Sequence, residues 1–406
     1  MRGISGVSQL KKPDQITTIV LVLTGTGMAV ARSASQLGRV VGIDADRTRP
    51  GLYSRHVQRV AGLTERQLDA ELLEKLIEFA QKQPHPVVLI PAADDACEWL
   101  LDHREKLRPH LRFSLGYTPE RAGVLLDKST FAQRCRDLNI DVPLTFQPET
   151  MDDVRHFAAE VGLPCIVKPR AGHLWRNRLS GQKLLVPQTL AELEHAMEHI
   201  VGQPNAVVLQ ELVPGPERNL AVGAVLTNQQ GQVQHVLTAR KIRQFPRQFG
   251  SGSRVVTEDL PEVRKLSADV VQALDYVGIC GTEFKLDPRT QRWRLIEINP
   301  RPTLWYDLCR AAGTDLIRAH VQELADLPVD LPHNQQQGVA WQYALRDVVA
   351  LGQTGGVRAI VQALRTEKLA ETDAVAALDD PQAALAAVAH FVGQAAAHLW
   401  PGKRKT

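Results

Sequence analysis

The first third of the chain alternates short, wholly apolar runs with longer stretches in which apolar residues recur at helical spacing. Strands are predicted at 19–23, 40–43 and 87–90, and helices at 68–81 and 96–107. Apolar strands that alternate with helices are typical of a parallel sheet with helices on its faces. We therefore predict an α/β domain over residues 1–117.

The pattern changes after residue 117. A helix is predicted at 128–138, and shorter strands follow at 164–169, 207–213, 220–226, 233–238, 281–287 and 293–299. Several of these strands are separated by hairpin-like turns, which favours an α+β domain over residues 118–330. Residues 331–406 are rich in alanine and predicted to be mainly helical, ending in the basic sequence GKRKT.

Composition narrows the function classes only slightly. The net charge is +3, with 44% hydrophobic and 23% charged residues, which is ordinary for a globular protein and does not favour nucleic-acid binding. The five cysteines form no CxxC pair, so free thiols are expected. The apolar run at 19–23 is too short to span a bilayer, and no signal-peptide pattern precedes it. We expect a cytoplasmic protein without membrane or nucleic-acid partners.

The turn after the first predicted strand contains Gly25 and Gly27, and Asp44 ends the next strand. This arrangement is similar to a dinucleotide-binding fingerprint, in which an acid binds a ribose hydroxyl. The third glycine is missing, and a tight strand-to-helix turn requires glycine in many α/β proteins. A nicotinamide site and a purely architectural turn therefore both remain open.

The most specific local signal is a pair of acidic residues on two consecutive strands. If residues 281–287 and 293–299 form a hairpin centred on Thr290, Glu283 lies directly opposite Glu297. Opposed carboxylates destabilise a sheet unless a cation compensates for them. Strand periodicity places Asn299 on the same face as Glu297, and also Arg301 if the strand continues. Hard oxygen ligands suit Mg²⁺ together with nucleotide phosphates, and an arginine can neutralise a transferred phosphoryl group. The alternative is a surface hairpin with ordinary charged pairs.

Two lysines upstream are candidates for phosphate binding. Lys128 opens a helix, and Lys168 ends an apolar strand, where its charge reaches the rim of the sheet. The polar segment 170–183 that follows Lys168 is predicted to be a loop able to cover phosphates.

A third candidate region is the strand that stops before Pro214 and Gly215. Main-chain groups at 211–213 would lack sheet partners there and could bind the edge of an adenine ring, while Glu217 could accept hydrogen bonds from a ribose. A plain edge strand followed by a turn is the alternative. Downstream, the basic residues Arg240, Lys241 and Arg243 are candidates for holding an anionic substrate or acyl phosphate, although such a run is usually solvated.

In this order, the motifs of residues 15–330 resemble the ATP-grasp superfamily. They are the glycine turn, Asp127-Lys128, IVKP ending at Lys168 and Pro169, QELV with Glu217, and Glu283 followed by EINPR ending at Arg301. Within that superfamily the chain resembles carboxylate–amine ligases of the D-aspartate ligase type, through VVLIPAADDA, ARKIRQFP and EINPRPTLWYDLCRAAG. The resemblance implies an ATP-grasp fold over 118–330, a Rossmann-like N-terminal domain and a helical C-terminal extension.

The resemblance also assigns roles to residues. It implies that ATP is bound by Lys128, Lys168, Gln210, Glu211, Leu212, Val213 and Glu217. It implies that Mg²⁺, as two ions with Mn²⁺ as a substitute, is bound by Glu283, Glu297 and Asn299. Arg301 would stabilise the transferred phosphoryl group. The loop after Lys168 is bulkier and more basic than is usual in this superfamily.

The implied activity is the formation of an amide bond through an acyl phosphate, with ADP and phosphate as by-products. The substrates would be a small carboxylate and an amine, for which amino acids are candidates, and a homodimer is common in the superfamily. Carboxylation, kinase-like phosphoryl transfer and a non-catalytic ATP sensor are the alternatives.

Overall fold

The computed structural model describes residues 16–171, 184–203, 207–377 and 379–399, with backbone alone from residue 394 onward. The predicted loop after Lys168 therefore lies almost wholly outside the described residues. Within the described ranges, no helix combines the length and the apolar character needed to cross a bilayer.

The N-terminal sheet has three parallel strands in the order β2-β1-β3, as the alternating pattern predicts. Its elements are β1 (Thr17–Leu21), α1 (Gly25–Ala34), β2 (Arg39–Ile43), α2 (Ala70–Gln81), β3 (Val87–Pro91) and α3 (Asp94–Leu107). All five residues of β1 and of β3 are buried, which explains their unbroken apolar sequence.

The glycine turn between β1 and α1 has a structural explanation. A Cβ atom on Gly27 would lie 2.3 Å from the carbonyl oxygen of Val22, so only glycine fits there. The carboxylate of Asp44 accepts hydrogen bonds from the main-chain N–H groups of Leu23, at 2.8 Å, and Asp46, at 2.9 Å. Because Asp44 is used to hold this turn, the structure favours the architectural interpretation over a nicotinamide site.

A second, antiparallel sheet follows, in the order β4-β6-β5. This region contains α4 (Val124–Leu126), α5 (Lys128–Asp137), β4 (Thr145–Phe146), α6 (Met151–Val161), β5 (Cys165–Pro169), α7 (Leu190–Met197) and β6 (Val207–Glu211). Local sequence explains the helix starts: Asp127 caps α5 by accepting from the N–H of Thr130, and Thr150 with Asp153 forms a capping box at α6.

The largest sheet has seven strands in the order β11-β10-β7-β8-β9-β12-β13. Its region contains β7 (Leu220–Thr227), β8 (Val233–Phe245), β9 (Ser251–Thr257), α8 (Pro261–Ala273), β10 (Gly278–Asp287), β11 (Arg292–Asn299), α9 (Asp307–Ala311), α10 (Leu316–Leu324), β12 (Ala340–Gln342), α11 (Ala344–Thr366), β13 (Thr372–Asp373) and α12 (Pro381–Leu399). The basic segment near Arg240 is thus an internal strand, β8, paired on both sides.

The core connects the sheets. One cluster of buried side chains joins Leu21 of the N-terminal sheet to Val225 and Cys280 of the large sheet, and all five cysteines are buried and unpaired. The short strands β12 and β13 come from the part of the chain beyond residue 331 and extend the large sheet, while α11 and α12 supply the helices predicted there. The domain boundaries after residues 117 and 330 stay a prediction.

Candidate active site

A cleft lies where the small antiparallel sheet, α5, the β10–β11 hairpin and α3 meet. Its polar lining is formed by Asp94, Glu98, Lys128, Thr145, Lys168, Gln210, Glu297 and Asn299. Its apolar lining includes Leu125, Leu126, Phe131, Val142, Ile296 and Ile298. A cleft in which charged and polar groups converge beside apolar side chains is a common form of a small-molecule site.

The opposed carboxylates are present as predicted. Glu283 of β10 is the direct partner of Glu297 of β11, and the register shifts only after this pair. The compensating cation in this structure is Lys241 of β8, whose Nζ lies 2.8 Å from Oε1 of Glu283. The Lys241 side chain is only 4% exposed, so this ion pair is almost fully removed from water. Lys241 therefore supplies a positive charge beside the opposed acids.

Asn299 and Arg301 differ in their relation to this strand. The Asn299 side-chain amide donates to Oε1 of Glu297 at 3.1 Å, so the two residues share a face as expected. The strand does not continue to Arg301: it ends at Asn299, because Pro300 has no N–H, and the N–H of Arg301 turns back to the carbonyl of Asn299 at 2.8 Å. The Arg301 side chain reaches instead to Asp94 of α3.

The two candidate phosphate-binding lysines lie on the same cleft. Nζ of Lys168 donates to Oε1 of Gln210 at 2.8 Å, and the Gln210 amide donates to Oγ1 of Thr145 at 2.8 Å. Nζ of Lys128 approaches the carbonyl of Arg170 at 3.4 Å. These contacts fix Lys168 and Gln210 as neighbours across β5 and β6, which the order of the sequence alone does not reveal.

Some main-chain groups of the predicted adenine-binding region already form hydrogen bonds within the protein. The N–H of Glu211 donates to the carbonyl of Leu144 at 2.8 Å, and the carbonyl of Val213 accepts from Nζ of Lys285 at 2.7 Å. Burial lowers the pKa of Lys285. Leu212 lies between these two anchored residues, and Glu217 accepts from the N–H of Gln248 at 3.0 Å. Their contacts with ATP stay a prediction.

The Glu211 carboxylate forms ion pairs with two arginines. Arg289 lies 2.6 Å from one carboxylate oxygen and Arg294 lies 2.8 Å from the other. Burial favours the neutral acid, but these two guanidinium groups outweigh it and lower the pKa of Glu211. This network joins β6 to the β10–β11 hairpin and holds the two walls of the cleft together.

The basic residues of β8 are distributed among different partners. Arg240 forms two hydrogen bonds with Glu258, at 2.9 and 2.6 Å, and Arg243 pairs with Asp347 of α11 at 2.7 Å and with Glu367. Neither of these arginines lines the cleft, and Lys241 pairs with Glu283, the strand partner of the cleft residue Glu297. A role for Arg240 and Arg243 in binding an anionic substrate stays a prediction.

Two cleft residues were missed as candidates. Asp94 and Glu98 lie four residues apart on α3, and both line the cleft. The signal was present, because Asp94 lies three residues after the end of β3, and polar residues near the carboxyl ends of parallel strands commonly face a ligand. Nothing in the sequence indicates that Asp94 contacts a residue as distant as Arg301.

The chemistry of the donor set fits a hard divalent cation. Glu283, Glu297 and Asn299 offer two carboxylates and an amide oxygen on the paired strands β10 and β11, which suits Mg²⁺ better than a softer transition metal. Lys241 already supplies one positive charge beside Glu283.

The sequence of this chain is similar to those of several known proteins. The family model described as "Carbamoyl-phosphate synthase L chain, ATP binding domain" matches residues 224–325. A D-aspartate ligase of Enterococcus faecium is 22% identical over 69% of this chain and 70% of its own length. A formate-dependent phosphoribosylglycinamide formyltransferase of Bacteroides thetaiotaomicron is 23% identical over 64% of this chain and 66% of its own length.

Solved structures share the fold. The N5-carboxyaminoimidazole synthetase of Staphylococcus aureus superposes with a TM-score of 0.61 at 15% identity, covering 81% of this chain and 82% of that one. A carboxyaminoimidazole ribonucleotide synthase of Aspergillus clavatus, solved with ATP, has a TM-score of 0.60 at 15% identity, with 80% of both chains covered. The biotin carboxylase domain of a Hydrogenobacter thermophilus 2-oxoglutarate carboxylase, solved with MgADP, has a TM-score of 0.60 at 17% identity, covering 80% of this chain and 72% of that one. This chain has the ATP-grasp fold, and residues 224–325 within it match an ATP-binding domain.

Proposed function

We propose that the protein is an ATP-dependent carboxylate–amine ligase that forms an amide bond through an acyl phosphate, of the D-aspartate ligase type. The observation that carries this proposal is the convergence of Lys128, Lys168, Glu297 and Asn299 on one cleft, with Arg301 at its edge. This set provides cations for phosphates, oxygen ligands for a metal and an arginine for the transferred group. The likeness to a D-aspartate ligase supports the choice of substrates.

The proposed reaction has two steps. A carboxylate oxygen of the first substrate attacks the γ-phosphorus of ATP, and the bond from the γ-phosphorus to the bridging oxygen breaks to release ADP. The amine then attacks the acyl carbon, phosphate leaves with the substrate oxygen, and the nitrogen loses a proton. The products are an amide, ADP, phosphate and one proton.

The residues of this chain act mainly by position and charge. Lys168, held by Gln210, and Lys128 would bind the phosphates, and Arg301 would stabilise negative charge on the phosphoryl oxygens during transfer. Glu283, Glu297 and Asn299 would hold Mg²⁺, which neutralises phosphate charge when bound. The apolar wall formed by Leu125, Leu126 and Phe131 would limit the access of water to the acyl phosphate.

The choice between this reaction and the other reactions of the fold depends on the acceptor of the phosphoryl group. The structural neighbours include synthetases and a carboxylase, so bicarbonate belongs in the same screen as amino acids. A kinase would release a stable phosphorylated product without needing an amine. An ATP sensor would bind the nucleotide without turnover.

The test is to incubate the protein with MgATP, a carboxylate labelled with oxygen-18, and an amine, starting with acidic amino acids as the carboxylate. ADP release should require the carboxylate and should rise when the amine is added. The released phosphate should contain one oxygen-18 atom from the carboxylate. Hydroxylamine in place of the amine should give a hydroxamate. An amide formed without transfer of label would contradict the acyl-phosphate step, and ATP binding without ADP release would favour the sensor.

A further inference from the structure

Arg301 is anchored across the boundary between two parts of the chain. Its Nε donates to Oδ1 of Asp94 at 2.7 Å, and its Nη2 lies 2.6 Å from the same oxygen. Its Nη1 donates to the carbonyl of Pro302 at 3.1 Å. Arg301 belongs to the segment that follows β11, whereas Asp94 is the first residue of α3, directly after the N-terminal sheet.

These contacts fix the plane of the guanidinium group. They engage each of its three nitrogens, but a guanidinium carries five N–H donors, so the described contacts leave donors for an oxyanion. The Arg301 side chain is only 15% exposed. A group that must meet a transferred phosphoryl oxygen gains from being held in position beforehand, because its reorganisation is then not part of the reaction barrier.

The position of Asp94 is itself fixed. It lies in the first turn of α3, next to the buried strand β3, and it lines the same cleft as Lys168 and Glu297. The main chain beside Arg301 is held as well, since the hydroxyl of the buried Tyr117 donates to the carbonyl of Pro300 at 2.5 Å. Burial opposes the charge of Arg301, but the carboxylate of Asp94 outweighs it and raises the pKa of Arg301.

We infer that Asp94 is a positioning residue for phosphoryl transfer. Its carboxylate orients Arg301 toward the transferred group and thereby makes the N-terminal sheet part of the catalytic apparatus. This inference rests on the proposed function only in so far as Arg301 meets a phosphoryl group. It holds for any acceptor of that group.

The chain supplies a matched control. Asp95 is the next residue, lies in the same first turn of α3 and is exposed, and its carboxylate accepts only from the N–H of Ala96 among the described residues. Asp94→Asn and Asp95→Asn therefore remove the same charge from the same end of the same helix. Only the first removes the negative charge that pairs with Arg301.

The experiment measures ADP release in single turnover, together with the Kd for MgATP, for both variants of the full chain. Asp94→Asn should slow ADP release by roughly tenfold or more while the Kd for MgATP changes little, since misplacement of a catalytic group acts on the chemical step. Asp95→Asn should match the wild type, and Asp94→Glu should recover part of the lost rate. If Asp94→Asn does not fold, Asp94→Ser, which keeps a side-chain oxygen at the helix start, takes its place.

A double-mutant cycle separates positioning from other roles of Asp94. In an Arg301→Ala background, Asp94→Asn should cause little further loss, because the residue acts through Arg301. Equal losses in both backgrounds, or equal rates for Asp94→Asn and Asp95→Asn, would overturn the inference. Wild-type ADP release without hydroxamate would instead contradict the ligase proposal, and would leave the comparison of variants valid.

Discussion

Glu283 and Glu297 face each other across the β10–β11 hairpin, and the ammonium of Lys241 lies 2.8 Å from the first of them. A sheet would not tolerate this pair of acids without compensation. Lys241 pairs with Glu283, whereas Glu297, beside Asn299, lines the cleft. We therefore expect distinct roles for the two acids, with Glu283 tied to the sheet through Lys241 and Glu297 placed to bind the proposed metal.

Glu297→Gln keeps the shape of the side chain and removes its charge. We expect turnover to fall by roughly 10²-fold or more, the scale of a lost electrostatic contribution, while the thermal unfolding curve stays near that of the wild type. Steady-state ADP release at increasing Mg²⁺ concentration measures this. Glu105→Gln, at a side chain on α3 that is 74% exposed, is the control. Activity near the wild-type level would contradict a metal-binding role for Glu297.

Patterns that depend on one segment were predictable from the sequence. The strands of the N-terminal sheet follow from local periodicity, and the pairing of Glu283 with Glu297 was predicted from the hairpin. The predicted register is wrong nearer the turn, where an irregularity after Glu283 shifts the pairs by one residue, so that Phe284 faces Leu295. The end of β11 was harder to place, because the turn at Pro300 reverses the direction that a continuing strand would give Arg301.

Contacts between distant segments were not predictable. The pairing of Arg301 with Asp94 spans 207 residues, and that of Arg243 with Asp347 spans 104. A basic residue on a strand gives no sign of which acid it will meet, because the partner depends on how whole sheets pack. This is why Arg240, Lys241 and Arg243 form one run in the sequence but have separate partners in the structure.

Lys168→Ala should weaken MgATP binding without unfolding the protein. Lys168 is only partly buried, and its described contact is a hydrogen bond to Gln210, so its loss removes a ligand group and little packing. Isothermal titration calorimetry should show a Kd about tenfold higher or more, consistent with the loss of a charged hydrogen bond. Lys265→Ala, at a side chain that is 76% exposed and paired with Asp269, should leave the Kd unchanged. Unchanged affinity in Lys168→Ala would make that lysine structural.

Gly27→Ala tests the architectural interpretation of the glycine turn. The added Cβ would lie 2.3 Å from the carbonyl oxygen of Val22, a backbone atom that cannot rotate away. We expect the free energy of unfolding to fall by about 1–3 kcal/mol, as in other overpacked sites. Gly352→Ala in α11 meets nothing within 4 Å and should stabilise by about 0.5–1 kcal/mol. Urea denaturation of both variants measures the contrast, and a neutral Gly27→Ala would show that the turn adapts.

His320 makes stability depend on pH in a defined window. The side chain is 2% exposed in α10, and burial lowers its pKa to about 4, from the ordinary value of 6.5. Between these two values the unfolded chain binds a proton at this site and the folded protein does not. The free energy of unfolding therefore falls as the pH drops from 6.5 towards 4, by at most about 1.4 kcal/mol per pH unit from this residue.

His320→Gln removes the titrating group and keeps a polar side chain. Relative to this variant, the wild type should lose stability between pH 7 and pH 5, and the difference between the two proteins should be constant above pH 7. His156→Gln, at a ring that is 81% exposed, should keep the wild-type slope because the buried imidazole is still present. Urea denaturation at pH 7, 6 and 5 measures all three proteins. Parallel stability curves for the wild type and His320→Gln would mean that the folded protein takes up the proton at His320 as readily as the unfolded chain does.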